Sequence, residues 1–361
     1  MLYFLVSLSI CFILIILYFN IYIKTSTMAV IMALGIMTQG VISNFFRSSF
    51  TQSILFHYSI CIILALWIAF FFSLWRSLFK AKFTSLHYLT IMNRFGIGTW
   101  VAASSICGVL INRHVSQWEQ AAIVIATLNF SLWLGYMVVS TMSLYQIYRT
   151  KKEDQVHGII FLTTVSTQSL VLLLSSFHKP IPDAIDLMMI LVGLLFYFIS
   201  LLFIYRRYRY NPWAIETDWK NTNCIIHGAL SISGLACILS QATHPFMIET
   251  IWTSAFILFF IVESIELARL VKRIRLYGVR RGIFVYDVSQ WSRIFTFAMF
   301  YTFTFFIQSQ LSYILIMKKI IIHGGIWMIL CLTVIELYLS ITTLLKKELL
   351  RSVQKPTHEV S

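Results

Sequence analysis

Charge is scarce in this chain of 361 residues: Asp, Glu, Lys and Arg make up 12% of it, against 59% hydrophobic residues and a mean hydropathy of +0.81. That balance excludes an ordinary soluble globular domain. Cysteine is sparse too. The six cysteines fall singly in apolar segments with no C-x-x-C pair, which excludes a disulfide framework and a structural metal centre and leaves them as packing residues. Acidic residues number only 14, and those between the apolar runs are isolated, such as Glu153, Asp154, Glu216, Asp218 and Asp287. A membrane enzyme needs clustered acids for a metal, or a histidine with a carboxylate at the membrane face, so an enzyme is not expected. Proline is scarce as well, with five, and none lies within the helices assigned below to a pore.

What is abundant is the long apolar run. Segments of about 18 to 25 residues, enough to cross a ~30 Å hydrocarbon core as helix, recur throughout and leave no room for a soluble domain. Expected spans are 2–23, 28–46, 54–75, 87–111, 118–145, 157–177, 184–206, 222–243, 249–271, 289–312 and 320–345. The formal charge of +14 does not point to nucleic acid. Twenty of the 28 Lys/Arg residues fall in alternate loops and the tail, including Arg206, Arg207, Arg209, Arg280 and Arg281, and five fall in the opposite loops, among them Lys179. This is the positive-inside asymmetry, and it predicts a multi-pass protein of the cell membrane with a cytoplasmic C-terminus. Residues 1–23 lack a basic leading region and a small-residue cleavage site, so they read as an uncleaved extra span. The expected organisation is an N-terminal span at 1–27, a ten-helix unit at 28–345 and a basic tail at 346–361.

The ten-helix unit has a period. A titratable residue stands near the start of every span that follows a basic loop: Arg94, His157, His227 and Arg293, at intervals of about 63 to 70 residues, the length of one helical hairpin. First members of the hairpins carry small and hydroxyl residues, as in "GIGTWVAASSICG" (96–108), "TTVSTQS" (163–169) and "HGALSISGLA" (227–236), while second members are bulkier and more uniformly apolar. The pattern predicts an all-α architecture of five quasi-repeated hairpins, with the first helices around a central pore and the second helices facing lipid. Thr99, Ser104, Thr167, Ser169, Ser231 and Ser233 are the expected lining. Arg94, His157, His227 and Arg293 are the expected cytoplasmic mouth, where fixed positive charge concentrates anions. Glu263, Glu266 and Glu336 lie on second members, outside that path; Glu263 and Glu266 are expected to pair with Arg269 or Arg293.

Four stretches carry a family resemblance: "RFGIGTWVAASSICGVL" (94–110), "VSTQSLVLL" (165–173), "DWKNTNCIIHGALSISGLA" (218–236) and "YDVSQWSRIFTFAMFYT" (286–302). In order and spacing they resemble the tellurite-resistance and dicarboxylate transporter family, which includes the slow-type anion channels of guard cells. The resemblance implies a homotrimer, no cofactor, and a pore obstructed by a phenylalanine of the ninth helix of the unit. Aligning Trp291 and Ser292 puts Phe295 there, with Phe297 and Phe300 the candidates if the helix is rotated. Thr296 follows where relatives often carry proline, so kinks are expected at glycines. The expected function is membrane passage of a small anion, with halide, nitrate, sulfite, tellurite or a C4-dicarboxylate as candidates. A proton-coupled malate-type carrier and a receptor or subunit without transport are the alternatives.

Overall fold

A computed structural model describes residues 1–177 and 182–353, and every regular element among them is helical. We number the long helices α1 (Leu2–Tyr18), α2 (Thr25–Phe46), α3 (Ile54–Phe79), α4 (Ile91–His114), α5 (Glu119–Thr150), α6 (Gly158–Leu174), α7 (Asp183–Tyr210), α8 (Asn221–Ser240), α9 (Pro245–Gly282), α10 (Gln290–Phe306) and α11 (Ser312–Val353). Eight are long and apolar enough to cross a membrane; α1 and α6 are shorter apolar helices, and α10 has 17 residues. The chain is a polytopic membrane protein. In lipid every backbone polar group has to be satisfied internally, which the helix does within one segment.

Burial divides the helices into two groups. The most apolar stretches of α4 and α8 are 94% and 89% buried, and that of α2 is 61% buried, against 22% to 39% for α3, α5, α7, α9 and α11. Every residue from Leu162 to Leu173 of α6 is buried, as is α10 from Trp291 to Thr304 apart from Arg293. Contacts close the buried group into a ring: α2 touches α4, α4 touches α6, α6 touches α8, α8 touches α10, and α10 returns to α2. Outside it, α3 seats on α2 and α4, α5 on α4 and α6, α7 on α6 and α8, α9 on α8 and α10, and α11 on α10 and α2. The extra helix α1 packs on α3.

Polar anchors join the layers. Indole N–H groups of Trp67, Trp133 and Trp252, on α3, α5 and α9, donate to the hydroxyls of Ser104, Thr167 and Thr304 on the following inner helix, at 3.2, 3.0 and 3.0 Å. On α7 the traffic reverses: Gln168 of α6 donates to the Ile190 carbonyl, and Thr164 to that of Gly193, at 3.0 and 2.9 Å. Gly193 permits this approach, since a Cβ there would lie 2.3 Å from the Gln168 amide.

Irregular turns in the ring helices fall at glycines. A π-helical stretch, Met37–Ile42, interrupts α2 around Gly40, and α4 breaks at Ile97 between Gly96 and Gly98. Several expected boundaries move. The span expected at 87–111 begins at Ile91, because Thr84–Tyr88 forms a separate π-helical turn and Thr90 is extended. The last span starts at Ser312 rather than 320, so it takes in Lys318, whose ammonium donates to the Ile307 carbonyl at 2.7 Å. Residues 346–353, expected as tail, continue α11 as helix, while 354–361 and Lys179 lie outside the described residues.

Candidate functional site: a cavity inside the helix ring

At the end of the ring away from the basic loops lies a cavity of about 560 Å³ walled by all five inner helices. Gln39 and Ser43 of α2, Ser105 and Val109 of α4, Ser169 of α6, Leu235 of α8, and Met299 and Thr302 of α10 line it, with Arg113 and His114 at the end of α4. Ser105, Val109 and Arg113 follow one another at four-residue steps, so one face of α4 passes from hydroxyl to alkyl to guanidinium. Asn129 of α5 reaches into this wall, donating to the Ser105 hydroxyl at 2.9 Å and to the Val101 carbonyl at 3.0 Å. Ser169 lies 3.3 Å from Ser105, joining α6 to the same cluster. The wall can thus offer hydroxyl and amide groups to a dehydrating ion, with fixed positive charge near one end.

Met299 and Thr302 stand four and seven residues after Phe295, so the three share one face of α10. Phe295 sits about 6 Å along the axis below Met299, towards the basic loops. It is 1% exposed and lines no part of the cavity above it. Phe297 and Phe300 point elsewhere. Phe297 packs on Phe259 of α9 and on His227, with centroids 5.1 and 6.1 Å apart, and Phe300 packs on Phe259 and Trp252 at 5.3 and 6.0 Å. Both belong to the α9–α10 seam.

The four residues expected to form a mouth are not brought together on the ring axis. Arg94 turns outward, donating to the Tyr88 carbonyl at 2.8 Å and to Gln146 of α5 at 2.9 Å while lying over the Tyr88 ring. His157 caps the start of α6, its Nδ1 2.8 Å from the Thr222 hydroxyl. His227 and Arg293 face the outer layer: His227 lies 3.7 Å from Glu263, and Arg293 lies 3.8 Å from Glu263 and 3.0 Å from Glu266. Arg269 completes the cluster, 3.0 Å from Glu266. A charge this deep in a membrane protein turns to carboxylates in the protein in preference to lipid, which is why Arg293 leaves the ring face. Glu263, Glu266, Arg269 and Arg293 line a second cavity, of about 680 Å³, between α9, α10 and α11, as does Glu336.

Of the expected lining, Ser169 faces the ring cavity. Ser104 and Thr167 receive the outer tryptophans, Thr99 donates to the carbonyls of Gly96 and Thr25, and Ser231 and Ser233 donate back to the carbonyls four residues earlier. Ser105, Asn129, Arg113, His114, Met299 and Thr302 are the lining or supporting residues that motif reasoning missed. A lone asparagine in the apolar α5 was the available signal, since a buried amide demands a partner on the neighbouring helix. No protein-family model matches the chain, and no curated protein matches it significantly.

Proposed function

We propose that this protein passes small anions across the membrane through the five-helix ring, and that Phe295 closes the route in the resting state. The observation that carries the reading is the cavity walled by all five inner helices, with hydroxyls in its wall and Arg113 near its end; helix phase puts the buried Phe295 on the same face of α10 as the lining residues Met299 and Thr302. Hydroxyl and amide donors replace part of an anion's hydration, and a cation at the entrance raises its local concentration. A flat apolar ring in a narrow constriction excludes water and can rotate aside. With little fixed charge in the wall, permeability follows dehydration cost and width, which favours nitrate and chloride over a dicarboxylate.

The five hairpins are read as repeats of one unit, in kinship with the tellurite-resistance and dicarboxylate transporter family. Support comes from the motif order and from the way each outer helix bridges two inner ones. The basic loops are assigned to the cytoplasm by their charge. The test is flux from liposomes holding purified protein: nitrate and chloride leave slowly with the wild type and at least about tenfold faster with Phe295→Ala, a barrier change of roughly 1.4 kcal/mol. Absence of flux from both folded proteins contradicts the reading.

One observation favours a proton-coupled carrier as the second reading. Glu336 is buried beside Arg293's cluster, and one of its carboxylate oxygens has no hydrogen-bond partner among the described residues. Under that reading uptake follows an imposed pH gradient and Glu336→Gln uncouples it.

A further inference from the structure

Helix α9 is too long for its membrane. Its 33 residues before Gly278 reach about 50 Å, against a ~30 Å core, so its last turns project beyond the lipid. At Gly278 the backbone has φ +74°, and a Cβ there would meet nothing within 4 Å, so it is conformation and not space that calls for glycine. The chain doubles back after it. Gly282 returns against the backbone of Arg273 and Ile274, and the Arg273 Nε donates to the Gly282 carbonyl at 3.3 Å.

This reversal brings Arg281 beside Arg273 and over the starts of α6, α8 and α10. Together with Lys220 and His157 they wall a polar basin of about 530 Å³. Of its acids, Glu216 pairs with Lys272 at 2.7 Å, and Asp287 accepts from the N–H and hydroxyl of Ser289 at 2.8 and 2.7 Å but keeps its charge. Among the described residues no carboxylate forms an ion pair with Arg273, Arg281 or Lys220. His157 also lines the basin, its Nδ1 2.8 Å from the Thr222 hydroxyl and 3.5 Å from the Ile159 N–H. Burial first, and then Lys220, push its imidazole down to about 4, so it is neutral at pH 7. Three cations facing one space, against the single carboxylate of Asp287 that has no ion-pair partner there, are complementary to a multiply charged oxyanion.

The basin also adjoins the crevice between α9, α10 and α11. The two share Asn221, Arg269, Arg273 and Asp287, and the crevice continues along Leu267, Met328, Leu332, Ile335 and Leu339. We propose that the basin binds a phosphate-bearing anion, held by Arg273, Arg281 and Lys220, and that the apolar side chains lining part of the adjoining crevice suit this site to an anionic phospholipid. Bound there, the phosphate touches the leading residues of three adjacent ring helices.

The test is ligand-dependent melting and titration of the full-length protein in neutral detergent. The probes are dioctanoyl phosphatidic acid, inorganic pyrophosphate and, as an uncharged control, dioctanoylglycerol. Phosphatidic acid is expected to raise the melting temperature, and Arg273→Ala/Arg281→Ala to weaken its binding at least about tenfold, with Lys220→Gln a milder second variant that keeps the α9 turn intact. Pyrophosphate binding with the same dependence supports the phosphate site and identifies a water-soluble ligand as sufficient. Neither phosphate compound binding, equal binding by wild type and both variants, or equal stabilisation by dioctanoylglycerol overturns the proposal. Binding is read without flux, so the outcome is independent of whether the ring conducts.

Discussion

Single side chains in this protein do different work according to the layer they face. His87 is an example outside the spans. It is fully buried, paired with the Thr25 hydroxyl at 2.9 Å and packed on Phe83 and Trp100. Burial pushes its imidazole down from 6.5 to about 4, so the folded protein holds it neutral. Between those values the unfolded chain takes up a proton that the fold refuses. The contribution is therefore fully present above pH 6.5 and is lost as pH falls towards 4. Melting in detergent should occur at a lower temperature at pH 5 than at pH 7, and His87→Phe should narrow the difference. An unchanged difference would remove His87 from the account. At the same scale, the gate assignment rests on helix phase: Phe295, Met299 and Thr302 share a face, whereas Phe297 and Phe300 belong to the packing against α9.

Between elements, the recurring device is an indole that ties an outer helix to the next inner one. Trp133→Phe keeps an aromatic ring but removes the donor to Thr167, at a cost of about 1 kcal/mol or more. Trp75→Phe on the exposed face of α3 should cost almost nothing, and chemical denaturation of the two variants in one detergent compares them. Tighter still is the entry of α6. A Cβ on Gly158 would lie 2.0 Å from the Thr222 carbonyl oxygen, which belongs to backbone and cannot rotate away. Gly158→Ala should therefore separate the starts of α6 and α8 and destabilise by more than about 2 kcal/mol. Gly135→Ala, where a Cβ meets nothing, should be tolerated; equal behaviour of the two would contradict this packing.

Helices and their alternation were legible in the sequence because the signals are large: apolar runs set the spans, and composition separated buried from lipid-facing members. The ends were less so. Thr84–Tyr88 and Ser312 differ from expectation because hydropathy does not register a π-helical turn or the reach of a helix beyond lipid. Site residues were the least legible. Ser104 and Ser105 are adjacent and chemically identical, yet one meets Trp67 and the other lines the cavity, and only helix phase separates them. Arg293 drew attention as a membrane-embedded cation, and its pairing with Glu263 and Glu266 was expected, but those carboxylates turn it outward, away from the ring mouth where it was also expected.

At the scale of the whole molecule, five inner helices form a closed ring with a cavity at one end, and a charged crevice lies outside it between α9, α10 and α11. Two routes through the protein are therefore conceivable, and the phenylalanines of α10 separate them, since Phe295 follows the ring face while Phe297 lines the crevice. The decisive measurement is nitrate flux from liposomes for Phe295→Ala, Phe297→Ala and Phe300→Ala side by side. Passage through the ring predicts a large increase for Phe295→Ala, with the other two near wild type. An increase confined to Phe297→Ala or Phe300→Ala, or none in any variant that folds, would contradict it.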